Sequence, residues 1–224
     1  GEVVKGLFED YKGTLQVDGY KAYNVLHKNR DIIEIGCNMH GRRYFEKAKT
    51  IGAKEGQTLA EVALKFYKKL FDIEEEIRLK PPDERHSVRR EQARPIWDEF
   101  KKWAEDQQAK VPAKSKIGQA FHYFLAEYEF LTGYLRDGRL EIDNGFVERA
   151  IRKFAIGRNN WMFSDTEAGA DASALFYSLI VTAKINGVNP YEALKILFTE
   201  LPKAKNLEDI ERLADVIVTA IPAA

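Results

Sequence analysis

Two short β-branched runs near the N-terminus, a long middle stretch with apolar residues every three or four positions, and a series of cap and breaker signals beyond it predict a helix-rich α+β fold. The first run is Thr14, Leu15, Gln16 and Val17, ending at Asp18-Gly19, and the second is Ile32, Ile33, Glu34 and Ile35. Between them residues 20–28 read as a short amphipathic helix with Tyr20, Tyr23 and Leu26 or His27 on one side. Strands joined through a helix of that length pair in parallel.

From residue 42 to 137 the period changes. Leu59, Val62, Phe66, Leu70, Ile73 and Ile77 step by three or four, as do Ile117, Phe121, Phe124, Tyr128, Leu131 and Leu135, predicting two long helices. Pro81-Pro82 closes the first, and Pro95 either kinks the charged stretch that follows or opens a new helix there. The charges of residues 65–69 and 72–76 read as solvent faces. Asp143 or Asn144 caps a helix expected to reach Phe154 and close at Gly157, with Asn159, Asn160 and Trp161 in a loop and Trp161 favoured as core. Residues 170–186 form a helix stopped by Gly187, Asn189-Pro190 opens another to Phe198, and residues 206–221 make the last.

The 224 residues carry 35 Lys and Arg against 35 Asp and Glu, so any electrostatic case for a polyanionic partner must be local. The single Cys37 excludes an internal disulfide framework, and no apolar run reaches membrane-spanning length, so a soluble cytosolic protein is expected. Walker A, Gly-x-Gly-x-x-Gly and Gly-x-Ser-x-Gly patterns are absent, which removes support for nucleotide hydrolysis, dinucleotide binding and serine hydrolysis.

Asp18 follows a strand, where open α/β sheets expose functional side chains, although Asp-Gly is also a turn pair. Glu148 lies on a helix beside the Val147, Ile151 and Phe154 stripe, and its ordinary role would be an ion pair with Arg152. Two carboxylates in this order suit divalent metals for phosphodiester chemistry. A third is normally needed, and Asp10 and Asp31 look like loop or helix-end residues. Arg149, Arg152, Lys153 and Arg158 form an acid-free basic cluster around Glu148, suited to a DNA backbone, with Arg42, Arg43 and Lys47 a weaker second one. Cys37 and His40 have zinc-like spacing, but the other histidines, His27, His86 and His122, are scattered, so no zinc is expected and a structural or DNA-positioning role is favoured.

These strings together resemble the transposases of the insertion sequence sixty-six type, of the DDE group. The resemblance rests on residues 15–20 with Tyr23-Asn24, Gly36-Cys37 to His40 with Arg42-Arg43, Ile142-Asp143-Asn144 with Glu148-Arg149-Ala150, residues 157–161, residues 177–179, residues 182–187 and Pro190-Tyr191. It implies a partial ribonuclease H-like α/β core interrupted by an all-α insertion: residues 1–41 the first part of the core, 42–140 the insertion, and 141–224 the last catalytic helix and C-terminal helices. It implies Asp18 and Glu148 as the second and third acidic residues of the triad, holding two Mg²⁺ or Mn²⁺ ions, and DNA ends and target DNA as partners of a homodimer or synaptic multimer. The source is then bacterial, with the protein in the cytoplasm at the nucleoid. The family's first Asp lies on a strand upstream of residue 1, so this segment by itself is expected to be inactive. A non-catalytic helical DNA-binding or assembly module, and a metal-dependent nuclease of the same fold, stand as alternatives.

Overall fold

The computed structural model describes residues 2–49 and 58–217, with only the backbone for His27, Lys153, Arg158, Asn160 and Trp161. It divides into a first unit through Phe146 and a second from Val147.

The first unit opens with a short helix, α1 (Glu2–Leu7), and the two expected strands, β1 (Gly13–Val17) and β2 (Ile32–Gly36). They pair in parallel, Gly13 opposite Ile32 through Val17 opposite Gly36, so Asp18 and Cys37 leave the same sheet end. The connection between the strands is a 3-10 helix, Lys21–Lys28, rather than an α-helix. Cys37 caps α2 (Asn38–Lys47).

α3 (Leu59–Ile77) starts in a capping box: the Thr58 hydroxyl accepts the Glu61 N–H, and the Glu61 carboxylate accepts the Thr58 N–H. α4 (Pro82–Val88), a π-helical turn (Arg89–Ala93) and α5 (Arg94–Gln108) then run without a break. Pro95 is the reason for the π-turn. Its ring has no N–H to donate to the carbonyl four residues back and clashes with it in an α-helix, and the wider turn relieves that clash.

The second long helix expected from periodicity is three pieces: α6 (Lys116–Ala126), α7 (Tyr128–Leu131) and a 3-10 turn (Gly133–Arg136). The chain breaks where it meets the sheet. A Cβ on Gly133 would come within 2.9 Å of the Ile35 Cβ, so the backbone passes β2 at a distance a continuous helix with side chains could not reach.

These helices enclose an aromatic core. Phe66 stacks on Phe100 at 4.7 Å, Phe100 lies 4.1 Å from Phe124, and Phe45, Tyr67 and Trp97 pack edge or face against them. Tyr134 accepts the Trp97 indole N–H through its hydroxyl at 3.2 Å.

One solvent-face expectation fails. Glu74 is buried, and it forms a two-pronged pair with the fully buried Arg89, Nε to Oε1 at 2.9 Å and Nη2 to Oε2 at 2.6 Å. Arg89 also donates to the carbonyls of Tyr134, Asp137 and Leu140. Arg85 adds a bond to Glu141 at 3.0 Å.

In the second unit, α8 (Gly145–Trp161) begins just ahead of the unit boundary and continues through Gly157 rather than stopping at it. The left-handed backbone comes instead at Met162, φ 54°. α9 (Glu167–Ile185), α10 (Pro190–Glu200) and α11 (Leu207–Ala214) follow the expected order, capped by Thr166, Asn189 and Asn206. Gly187, at φ +74°, supplies the stop after α9. Past α11 the chain turns 3-10 at Asp215–Ile217, and residues 218–221 of the expected last helix lie outside the described residues.

Two outcomes follow for stability. Arg89→Met strands a buried carboxylate and is expected to cost about 3–5 kcal/mol in urea unfolding followed by tryptophan fluorescence. Adding Glu74→Leu should restore part of this, leaving a deficit of about 1–3 kcal/mol for the three carbonyls that lose their donor. Burial, with Asp98 as hydrogen-bond partner, pushes Tyr128 up to about 12. Its folded-state value therefore lies above its unfolded value, so stability is intact below pH 10 and falls as pH rises from 10 towards 12. Urea midpoints measured across that window should decline less steeply for Tyr128→Phe.

Candidate active site and its family

Asp18 stands immediately after β1, exposed, with Oδ1 accepting the Tyr20 N–H at 2.9 Å. That bond makes the turn, which Gly19 completes at φ +77°. Among the described residues the other carboxylate oxygen, Oδ2, has no hydrogen-bond partner. A solvent-facing carboxylate with one oxygen tied and one open is suited to a hard divalent cation.

The neighbouring strand end is built of buried polar contacts. Cys37 is 1% exposed, and its Sγ donates to the Asn144 Oδ1 at 2.9 Å while accepting the Asn144 N–H at 3.5 Å. Burial pushes the thiol up from its ordinary value despite hydrogen bonds from Asn144, His40 and Met39, so at neutral pH it is a thiol. Asn38 is wholly buried and donates from Nδ2 to the carbonyls of Leu131 and Ile142. Gln16, on β1, donates to the carbonyls of Gly36 and Glu141. The 141–144 segment is thereby fastened across the C-terminal end of the sheet, and the Asp143 Oδ1 then accepts the Gly145 N–H at 2.6 Å to open α8.

Sequence reasoning did not single out Gln16 or Asn38. Their only signal was an amide placed in or just after an apolar strand.

His40 sits half-buried in the first turn of α2, its N–H donating to the Cys37 carbonyl at 3.1 Å. Arg42 and Arg43 follow on the same helix. Arg43 is exposed, whereas Arg42 is held by Glu46 at 2.8 Å. Glu148 is in the first turn of α8, with Arg149 and Arg152 exposed on the same helix. The side chains of Lys153, Arg158 and Trp161 lie outside the described residues. Asp18 belongs to the first unit and Glu148 to the second.

The profile of the Transposase IS66 family matches residues 1–172, and that of the IS66 C-terminal element matches residues 178–214. The chain belongs to the IS66 transposase family. Three proteins of Sinorhizobium fredii are similar to this transposase segment and carry the descriptions uncharacterized protein y4qI, y4hP and y4jD. The first is 35% identical over 91% of the chain, the second 31% over 80% and the third 31% over 81%. The matches cover 38%, 35% and 36% of those proteins, so the chain spans little more than a third of the length of the curated relatives it matches. No solved structure matches it significantly. Among the described residues no helix is long and apolar enough to cross a membrane.

The enclosure of Cys37 has a direct check. Iodoacetamide at pH 8 should label it at least about tenfold more slowly in the native transposase segment than in urea, because both burial and the Asn144 contact hold the thiol back. Asn144→Ala should narrow that gap.

Proposed function

We propose that this chain is the catalytic-region segment of a DNA transposase that cleaves DNA at transposon ends and joins those ends to a target, with Asp18 and Glu148 as two of its three metal-holding carboxylates. The observation that carries the proposal is the sheet end: Asp18 leaves β1 beside Cys37, and Gln16, Cys37 and Asn38 tie down the segment that runs into the helix bearing Glu148. The family match supports transposition as the process. The parallel pair β1–β2 fits the portion of a ribonuclease H-like sheet that such a segment would hold, with residues 42–140 as its helical insertion.

Asp18 fits the metal by its exposure at the end of β1. Asp18 and Glu148 would hold Mg²⁺ or Mn²⁺, which when bound supplies Lewis-acid activation of the attacking oxygen and neutralises the leaving one. The turn bond from Tyr20 fixes the Asp18 carboxylate so that little rotamer freedom is lost when it engages a cation. Arg149 and Arg152, exposed on α8, bind DNA phosphates as point contacts, together with Lys153 and Arg158 and, on α2, Arg43 and Arg42. Arg42 must first give up Glu46, which makes it the weaker of the last two. Cys37 and His40 position backbone at the sheet end. The protein works as a dimer or synaptic multimer on bacterial nucleoid DNA.

The test is Mn²⁺-dependent cleavage of labelled transposon-end DNA by the chain extended to the length of its relatives. Asp18→Ala and Glu148→Ala should each lower the rate roughly a thousandfold or more while leaving DNA binding intact. Unchanged cleavage in either variant would remove that residue from the mechanism. Cleavage without joining of pre-cut ends would leave a nuclease, and DNA binding without any cleavage a non-catalytic module.

A further inference from the structure

Beside the Asp18 turn lies a cavity of about 620 Å³ that the phosphodiester chemistry leaves unused. One wall is a pair of stacked tyrosines, Tyr44 from α2 and Tyr123 from α6, with ring centroids 4.1 Å apart and planes within 18°. Tyr123 reaches under the turn: a Cβ on Gly19 would meet its hydroxyl at 3.3 Å. Tyr44 is 40% exposed and leaves ring surface open to the solvent. At Gly118, also in the lining, α6 closes on residues 112–113 so tightly that there is no room for a side chain, which gives the cavity a wall that cannot easily shift.

The polar groups around this cavity are Gln108, Gln119, His122 and Glu127. Gln119 donates to the Lys114 carbonyl, leaving the Gln108 amide and the His122 imidazole as hydrogen-bonding groups of the lining. Among the described residues no Lys or Arg lines the space, and the Glu127 carboxylate does not favour a phosphate inside it. Burial, with Glu127 and Tyr44 close by, pushes Tyr123 well above its ordinary value, so its hydroxyl stays a neutral donor. An open aromatic face, an amide, an imidazole and a neutral phenol select a flat heterocycle with hydrogen-bonding edges.

The geometry points to a pocket for one unstacked nucleobase of single-stranded DNA, stacked on the Tyr44–Tyr123 pair next to Asp18. The inference rests on the reading that this chain handles DNA and adds to it how a strand is gripped beside the carboxylate. The neighbouring phosphates stay outside, where Arg43 is exposed on α2. An extruded base would thereby fix the strand's register at the sheet end without reading much sequence, since every base offers a π-face.

The experiment compares binding of the whole chain, by fluorescence anisotropy, to a single-stranded oligonucleotide of about fifteen nucleotides and to the same backbone made wholly abasic. The intact strand is expected to bind about tenfold to a hundredfold more tightly. Tyr44→Ala should erase that preference while leaving abasic binding unchanged, and Tyr44→Phe should keep it. Equal binding of intact and abasic strands, or a preference that survives Tyr44→Ala, would overturn the pocket and leave the DNA reading standing. Binding of neither strand would overturn both.

Discussion

Arg89 has five N–H donors and is wholly buried. All five find acceptors: two oxygens of Glu74 and the carbonyls of Tyr134, Asp137 and Leu140. Its guanidinium also lies 5.0 Å from the Tyr134 ring centroid. A single side chain on the π-turn thus fixes α3, the 3-10 turn that follows α7 and the loop after it. A buried charge is tolerable only with its partners in place, so this requirement sets where the 137–140 loop can run. That loop leads straight into the segment fastened to the sheet, and the placement of the candidate site therefore descends from a charge pair distant from it in sequence.

Polar groups at the sheet end serve the same purpose on a smaller scale. Each of Gln16, Cys37 and Asn38 spends its side chain on backbone or side-chain groups of 131–144, leaving Asp18 as the exposed acid at the end of β1. A two-stranded sheet cannot hold itself in water. Here it is held by helices on one side and by these cross-links at its end.

The two units solve the stability problem differently. The first buries large aromatic rings against one another, each pair adding about 0.5–1.5 kcal/mol beyond its area. Among the described residues of the second, the buried hydrophobics are Ala183, Val188 and Ala193, while Ile151, Leu175 and Phe198 are more than half exposed. Its helices lean on their ends instead, with Thr166, Asn189 and Asn206 each accepting a backbone N–H, worth about 1 kcal/mol apiece.

Local signals were enough for both strands, their parallel pairing, the cap at Asn189, the stop at Gly187 and the exposure of Asp18 at a strand end. Each depends on residues within a few positions, or on a period, and that information survives in one dimension. The family too was legible, because its short strings lie collinearly along the chain. What tertiary structure alone decided was which charges go inside and where helices stop. Glu74 sits in a charged run that reads as solvent face, and only the arrival of Arg89 fifteen residues later makes its burial possible. The apolar period from Ile117 to Leu135 continues through two breaks, because the period records which face is buried and not whether the backbone must bend past β2. Gly157 looked like a stop and is helix, since a glycine ends a helix only when the chain must turn there, and here it turns at Met162. Burial of a charge and interruption of a helix are both responses to a neighbour, and the neighbour is fixed only when the chain has folded.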